Sequence, residues 1–250
     1  MESVRVKSYA KINLTLNITG VSEGYHMLDS VVTTVDLYDL IVVKKRRDDL
    51  VSITMRGCGS ESIPFEENNA AKAAEAFIKA YQTRGADITV YKNIPMGAGL
   101  GGSSADAAGV LNGLFSLYKI DDTAGKKLLA DRFGSDTRYM LSGGYARLFG
   151  RGNEVQLIES GLKLNLLLLI PQGAVSTAEC YRCFDRIGTA GGDSSGAEEA
   201  IRSCDVYALA QNVNNALTPA AYALSADVKN AADELKNFDP LAVNMTGSGS

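Results

Sequence analysis

Residues Pro95-Met96-Gly97-Ala98-Gly99-Leu100-Gly101-Gly102-Ser103-Ser104 decide how this chain is read. Four of the six positions from Gly97 to Gly102 are glycine, which frees the backbone for positive φ and lets its N–H groups approach a ligand. The alternating segment Asp87–Tyr91 predicts a strand before the loop. The Ala- and Leu-rich run from Ser103 to Tyr118 predicts a helix after it, with Ser103 as the N-cap. Strand, glycine loop and helix N-terminus make up a phosphate cradle, because unpaired N–H groups and the helix dipole both favour an anion there.

Two familiar phosphate loops fail on chemistry. A Walker A loop is matched at Gly97 and Gly102, but Ser103 stands where its lysine should reach the outer phosphates. The dinucleotide pattern G-x-G-x-x-G is met by Gly97, Gly99 and Gly102, with Asp122 about twenty residues on. That acid should end a second parallel strand, whereas Leu117–Asp122 reads as a short link between two helices. A glycine-rich turn with no ligand does not account for so many glycines followed by two serines.

Composition narrows the rest. The 250 residues carry 25 Lys and Arg against 29 Asp and Glu, a net charge of −4 that argues against a nucleic-acid partner. Hydrophobic residues at 46% and charged residues at 22% are proportions of a globular protein with ample core, not of a disordered one. The longest apolar run, Leu166–Ile170, is too short to span a bilayer, and the N-terminus has no apolar h-region, so a cytoplasmic protein with no membrane partner is expected. Cys180 and Cys183 form a C-x-x-C, but no second Cys or His pair accompanies it, which disfavours a zinc or redox site. The single histidine, His26, excludes multi-histidine metal sites.

Working outward, the first third reads as β, over Val4–Tyr9, Lys11–Ile18, Ser30–Val43 and Val51–Met55. Asn69–Tyr81 and Thr123–Phe133 read as helices, and Gly143–Phe149 and Glu154–Ile158 as strands. An apolar strand, Leu162–Ile170, opens a second domain. Behind it come helices over Ser176–Asp185, Asp205–Asn212 and Pro219–Lys236, a Gly/Ser loop at Gly188–Gly196, and a last strand at Leu241–Met245. The class is α+β, in two domains.

The segment Pro95 to Ala105 resembles the ATP-binding motif of the galactokinase, homoserine kinase, mevalonate kinase and phosphomevalonate kinase (GHMP) superfamily. Two further motifs of that superfamily are matched in order, Ala10-Lys11-Ile12-Asn13-Leu14 and Thr246-Gly247-Ser248-Gly249-Ser250. Gly24-Tyr25-His26, Val35-Asp36-Leu37-Tyr38-Asp39, Gly134-Ser135-Asp136 and Gly150-Arg151-Gly152 are similar to one branch of it. That branch phosphorylates a cytidine diphosphate-linked methylerythritol in the non-mevalonate isoprenoid precursor pathway. The resemblance covers essentially the whole chain. Its alternatives are a homoserine- or mevalonate-type small-molecule kinase and a non-catalytic nucleotide-binding relative.

The resemblance implies a two-domain GHMP-kinase fold with its active site in a cleft. An N-terminal domain over 1–160, like ribosomal protein S5 domain 2, would bind ATP. A ferredoxin-like domain over 161–250 would bind substrate, and its end inside the third motif would leave its sheet short. ATP would be held by Pro95, Gly97, Gly99, Leu100, Gly101, Gly102, Ser103, Ser104 and Ala105, by Thr246, Gly247 and Ser248, and at the adenine border by Asn69 and Lys92. Ser104 is the implied Mg2+ ligand. Asp136 would take the proton of the acceptor hydroxyl, with Lys11 beside it, and the family match prefers these roles over a helix cap and a strand-edge charge. Tyr25 and His26 are implied at the cytidine end, and Asn13 and Thr177 as substrate hydrogen-bonders. Thr137-Arg138-Tyr139 departs from the family's Val-Pro-Phe-like segment, which leaves Arg138 either on a phosphate or in a structural turn. No carboxylate is matched as a second magnesium ligand. The implied assembly is a monomer or homodimer with small-molecule partners only.

Overall fold

The computed structural model describes residues 2–171, 173, 175–188 and 190–249. Its elements begin with β1 (Ser3–Asn13), β2 (Thr15–Ser22), β3 (Tyr25–Lys45) and β4 (Val51–Arg56), then α1 (Asn69–Tyr81), β5 (Ala86–Tyr91) and α2 (Gly102–Tyr118). There follow α3 (Thr123–Ala130), α4 (Thr137–Met140), β6 (Ala146–Gly150), β7 (Glu154–Leu157), α5 (Thr177–Ile187) and α6 (Ser195–Arg202). The chain continues through α7 (Val206–Asn212), β8 (Asn214–Asn215), α8 (Thr218–Leu224) and α9 (Ala226–Lys236). This is the expected α+β class. Two compact units interleave along the sequence: Met1–Lys11, Thr34–Met96 and Gly101–Gly143 form the first, and Ile12–Thr33, Gly97–Leu100 and Gly144–Ser250 the second.

In the first unit, β5 pairs antiparallel with β3 from Leu40↔Tyr91 to Lys45↔Ala86, and parallel with β4. The strands are rich in Val and Ile on their buried positions, as a sheet covered by helices requires. Ile41, Val43, Ile88 and Val90 meet Phe77 of α1 and Val110, Leu111, Leu114 and Phe115 of α2 in one core. Phe77 is fully buried, with its ring 5.0 Å from that of Phe115, and truncating such a ring to Ala costs about 3–5 kcal/mol. Asn68 caps α1, accepting from the N–H groups of Ala70 (2.9 Å) and Ala71 (3.3 Å). At Gly109, α2 runs so close to the strands that a Cβ would overlap Ser8 Oγ and Ile41 Cδ1.

In the second unit, β2 and β6 each pair antiparallel with the first part of β3, β7 extends β6, and β8 joins β2 in parallel. Its core holds Leu16 and Ile18 of β2, Leu217, Ala220, Ala221 and Val228, and Cys180, Cys183 and Phe184 of α5. The C-x-x-C is thus a pair of core-facing helix residues, and burial pushes the Cys180 thiol up to about 11.

Several expected elements differ, among them the strand expected over Lys11–Ile18, which is split between β1 and β2. Leu162–Ile170 and Leu241–Met245 form no strand among the described residues: neither has a ladder partner there, and Leu166–Ile170 is exposed. The single helix expected over Pro219–Lys236 is two, α8 and α9, broken at an extended Ser225 (φ −141°, ψ 116°). The expected Gly/Ser loop ends early, because α6 starts at Ser195 and buries Ala197, Ala200 and Ile201.

Candidate functional site

The glycine loop carries its left-handed backbone at every second residue, with φ of +70° at Gly97, +68° at Gly99 and +71° at Gly101. Such alternation turns successive N–H groups to one side, the geometry of an anion nest. Helix α2 starts from Gly101 and not from Ser103, and no side chain caps it, so its first-turn N–H groups stay open to a ligand. Ser103, the expected cap, lies inside that first turn and accepts at Oγ from Asn69 Nδ2 (2.9 Å). Asn69 also donates to the Phe133 carbonyl (3.1 Å) and so ties α1, the start of α2 and the segment before Asp136 together. A Cβ on Gly134 (φ +121°) would stand 2.8 Å from Ser104 Oγ, so that glycine clears the Ser104 hydroxyl.

Lys11 and Asp136 meet at the end of this loop. Lys11 Nζ is 3.6 Å from Asp136 Oδ2. A Cβ on Gly101 would stand 3.1 Å from Lys11 Cγ and 3.5 Å from Asp136 Oδ2, which puts both residues against the loop backbone. Asp136 sits at the N-cap of α4, yet its side chain makes no capping hydrogen bond there. Arg138 forms an ion pair with Asp131, its Nε 2.8 Å from Oδ1, while Thr137 and Tyr139 beside it are buried.

Lys92, implied at the adenine border, is buried. Its ammonium is hydrogen-bonded to Asp39 and lies 2.8 Å from Asp106 Oδ2. Asp39 also accepts from the N–H groups of Asn93 (2.6 Å) and Ile94 (2.9 Å), fixing the chain as it leaves β5 for the glycine loop. Asp106, on the first turns of α2, fixes the far side. Two buried carboxylates share one ammonium, and burial, opposed by Lys92 and reinforced by Asp39, pushes the Asp106 carboxyl up to about 8. Burial opposes the Lys92 charge, yet Asp106 and Asp39 hold its ammonium above the ordinary lysine range. Asp106 Oδ1 has no hydrogen-bond partner among the described residues.

In the second unit, Asn13 joins the third motif. Its N–H donates to Thr246 Oγ1 (2.9 Å), its Nδ2 to Ser30 Oγ (2.9 Å), and its Oδ1 accepts from the Gly247 N–H (3.2 Å). Gly99 and Gly247 cross backbone to backbone: a Cβ on either would stand 3.1 Å from Thr246 O or from Gly99 Cα. Thr177 and Ser248 hydroxyls are 2.9 Å apart. Tyr25 is half exposed, with the Arg151 guanidinium 3.4 Å from its ring centre. His26 Nε2 is 2.7 Å from Asp185 Oδ1, and its ring is 4.7 Å from that of Tyr181. The structure therefore gathers expected residues into the Lys11–Asp136–Gly101 group of the first unit, and the Asn13–Gly99–third motif and Tyr25–His26 groups of the second. Asp39 stands in a matched motif without a role of its own, and Asp106, Tyr181 and Asp185 have no part in the sequence reading. Asp106 had one signal, a charge on an otherwise Ala- and Leu-rich helix.

The segment that carries the glycine loop, the uncapped helix after it and Asp136 lies within residues 68–143, which match the GHMP kinases N terminal domain. The chain is 39% identical to a 4-diphosphocytidyl-2-C-methyl-D-erythritol kinase of Desulfitobacterium hafniense, over 99% of this chain and 85% of that one. It is 35% identical to the protein of the same name from Clostridium beijerinckii, over 98% and 88%. A crystal structure of 4-(cytidine 5'-diphospho)-2C-methyl-D-erythritol kinase superposes with a TM-score of 0.80 at 28% identity, covering 99% of this chain and 88% of that one. The fold extends to a homoserine kinase from Cytophaga hutchinsonii, with a TM-score of 0.67 at 17% identity. The chain belongs to the family of 4-diphosphocytidyl-2-C-methyl-D-erythritol kinases.

Proposed function

We propose that the chain transfers a phosphoryl group from ATP to the 2-hydroxyl of 4-diphosphocytidyl-2-C-methyl-D-erythritol, a step of the non-mevalonate route to isoprenoid precursors. The observation that carries this reading is the Lys11–Asp136 pair, 3.6 Å apart and packed on Gly101 at the end of the glycine loop. An acid that accepts a proton and a cation that answers transferring charge thus adjoin the backbone that would hold the phosphates.

Phosphoryl transfer asks for positioning and charge stabilisation more than for covalent chemistry by the protein. The loop Gly97–Ala105 holds phosphate oxygens on backbone N–H groups, and Pro95 with the Lys92 cluster fixes its approach. Asp136 takes the proton from the acceptor hydroxyl, and Lys11 balances charge on the oxygens around it. Asn69 borders the adenine side, and Thr246, Gly247 and Ser248 border the loop from the third motif. Asn13 and Thr177 orient the substrate, and Tyr25 and His26 take its cytidine end. Mg2+ suits this oxygen set as an ion carried on the nucleotide, with Ser104 as its protein ligand. Among the described residues no group of three or more Asp, Glu, His or Cys forms a cage, and magnesium rarely needs one beside phosphates. The ion supplies neutralisation of phosphate charge. The division into an ATP-binding domain over 1–160 and a substrate domain over 161–250 accompanies this reading, as does a cytoplasmic monomer or homodimer. No described helix is long and apolar enough to cross a membrane.

The test is ADP release in a coupled assay with this substrate, with homoserine and with mevalonate. Turnover on the cytidine-linked substrate alone is expected. Turnover only on homoserine or mevalonate overturns the substrate while leaving the kinase class.

A further inference from the structure

His26 is held from one side by a single helix. Tyr181, Phe184 and Asp185 lie three and four residues apart on α5, so they share a face. The Tyr181 ring is 4.7 Å from the imidazole and tilted 36°, the Phe184 ring is 6.2 Å away and edge-on, and Asp185 Oδ1 is 2.7 Å from Nε2. The imidazole is 18% exposed and Asp185 52%.

A neutral imidazole has one N–H and one acceptor nitrogen, and an ionised carboxylate can only accept. The short contact to Asp185 therefore places the proton on Nε2 and makes Nδ1 the acceptor. The only hydrogen bond of the His26 side chain among the described residues is this one. Cytosine and uracil differ at the exocyclic position beside ring N3, which Nδ1 would read. Cytosine carries an amino donor there, whereas uracil carries a carbonyl acceptor. An acceptor nitrogen bonds the first and opposes the second.

We propose that Asp185 is a positioning residue for base recognition, holding His26 in the Nε2–H form so that Nδ1 accepts from an amino-bearing pyrimidine and disfavours a keto one. This rests on the reading of the substrate as cytidine-linked and adds to it the residue that sets the preference. The carboxylate touches no reacting atom. It acts through the imidazole, so its loss changes recognition of the base and leaves phosphoryl transfer intact.

Kinetics and a spectrum test it together. D185A should raise KM for the cytidine-linked substrate about tenfold, and lower the preference over its uridine-linked analogue about tenfold, as expected for loss of one oriented polar contact. The turnover number and KM for ATP stay within about twofold. D185E, which keeps the carboxylate, recovers most of the preference. Because the chain has one histidine, the ring nitrogens of untagged 15N-labelled protein report its tautomer without assignment. The wild type should show the Nε2–H pattern at pH 8, and D185A a shift toward averaging of the two forms. An active wild type, together with unchanged preference and ring-nitrogen shifts in D185A, overturns the inference and leaves the proposed function standing. A wild type inactive on the cytidine-linked substrate overturns both.

Discussion

Two lysine–carboxylate clusters lie against adjacent glycines of one loop, and they are built to opposite specifications. Gly101 faces Lys11 and Asp136, whose charged atoms are 3.6 Å apart with the Asp136 side chain 28% exposed. Gly102 faces Lys92, whose Nζ would stand 3.3 Å from a Cβ there and whose side chain is 3% exposed. The Lys92 cluster is closed: its ammonium is bonded to Asp39 and Asp106, and Asp39 spends its other oxygen on two backbone N–H groups. The Lys11 pair keeps a loose ion contact and an acid without a cap to make. A charge that must accept a proton needs room and a partner it can leave. A charge that must fix a backbone needs burial and partners that hold it in place.

The largest effect should come from the open pair. Asp136→Asn is expected to lower kcat by roughly a thousandfold with little change in KM, since a general base acts in the transition state. Its urea unfolding midpoint should stay near that of the wild type, because the side chain caps nothing. Near-full kcat would remove Asp136 from the chemistry and dissolve the contrast. The closed cluster should answer in the opposite way. Lys92→Met removes the ammonium that two buried carboxylates share, and a broken buried pair costs about 3–5 kcal/mol of stability. Urea unfolding measures it, and a variant as stable as the wild type would show that the cluster holds nothing in place.

The contrast also marks how far the sequence could be read. The loop and the helices flanking it follow from local pattern, because glycine spacing and helix periodicity are properties of neighbouring residues, whereas Lys11, Lys92 and Asp136 are implied only by the family resemblance. What stayed hidden depends on distant pairs. Lys92 reads, by resemblance, as a residue of the adenine border until Asp39, fifty-three positions away, and Asp106 are known to enclose it. Asp185 reads as one more polar residue on α5 until β3 places His26 beside it, 159 positions earlier in the chain. The start of α2 was misplaced by two residues for a related reason: Ser103 has the chemistry of a cap, but its hydroxyl is taken by Asn69. Leu162–Ile170 has strand composition, but a strand is a relation between two segments and no described segment supplies the second.

The smallest effect is the most discriminating for the closed cluster. Burial above all, against the pull of Lys92, raises the Asp106 carboxyl to about 8, where an unfolded aspartate sits at about 3.9. Between these values the folded chain keeps a proton that the unfolded chain has released. The contribution of Asp106 to stability is therefore full below about pH 4 and is lost as pH rises through about 8. Asp106→Asn keeps the shape and cannot ionise. The difference in melting temperature, variant minus wild type, should climb as pH goes from 5 to 9 and level off above the Asp106 transition, as scanning calorimetry would record. A flat difference would mean that Asp106 is ionised throughout. The Lys92 cluster would then carry a net negative charge beneath the loop proposed to hold phosphates, and the closed cluster would oppose the ligand whose backbone it positions.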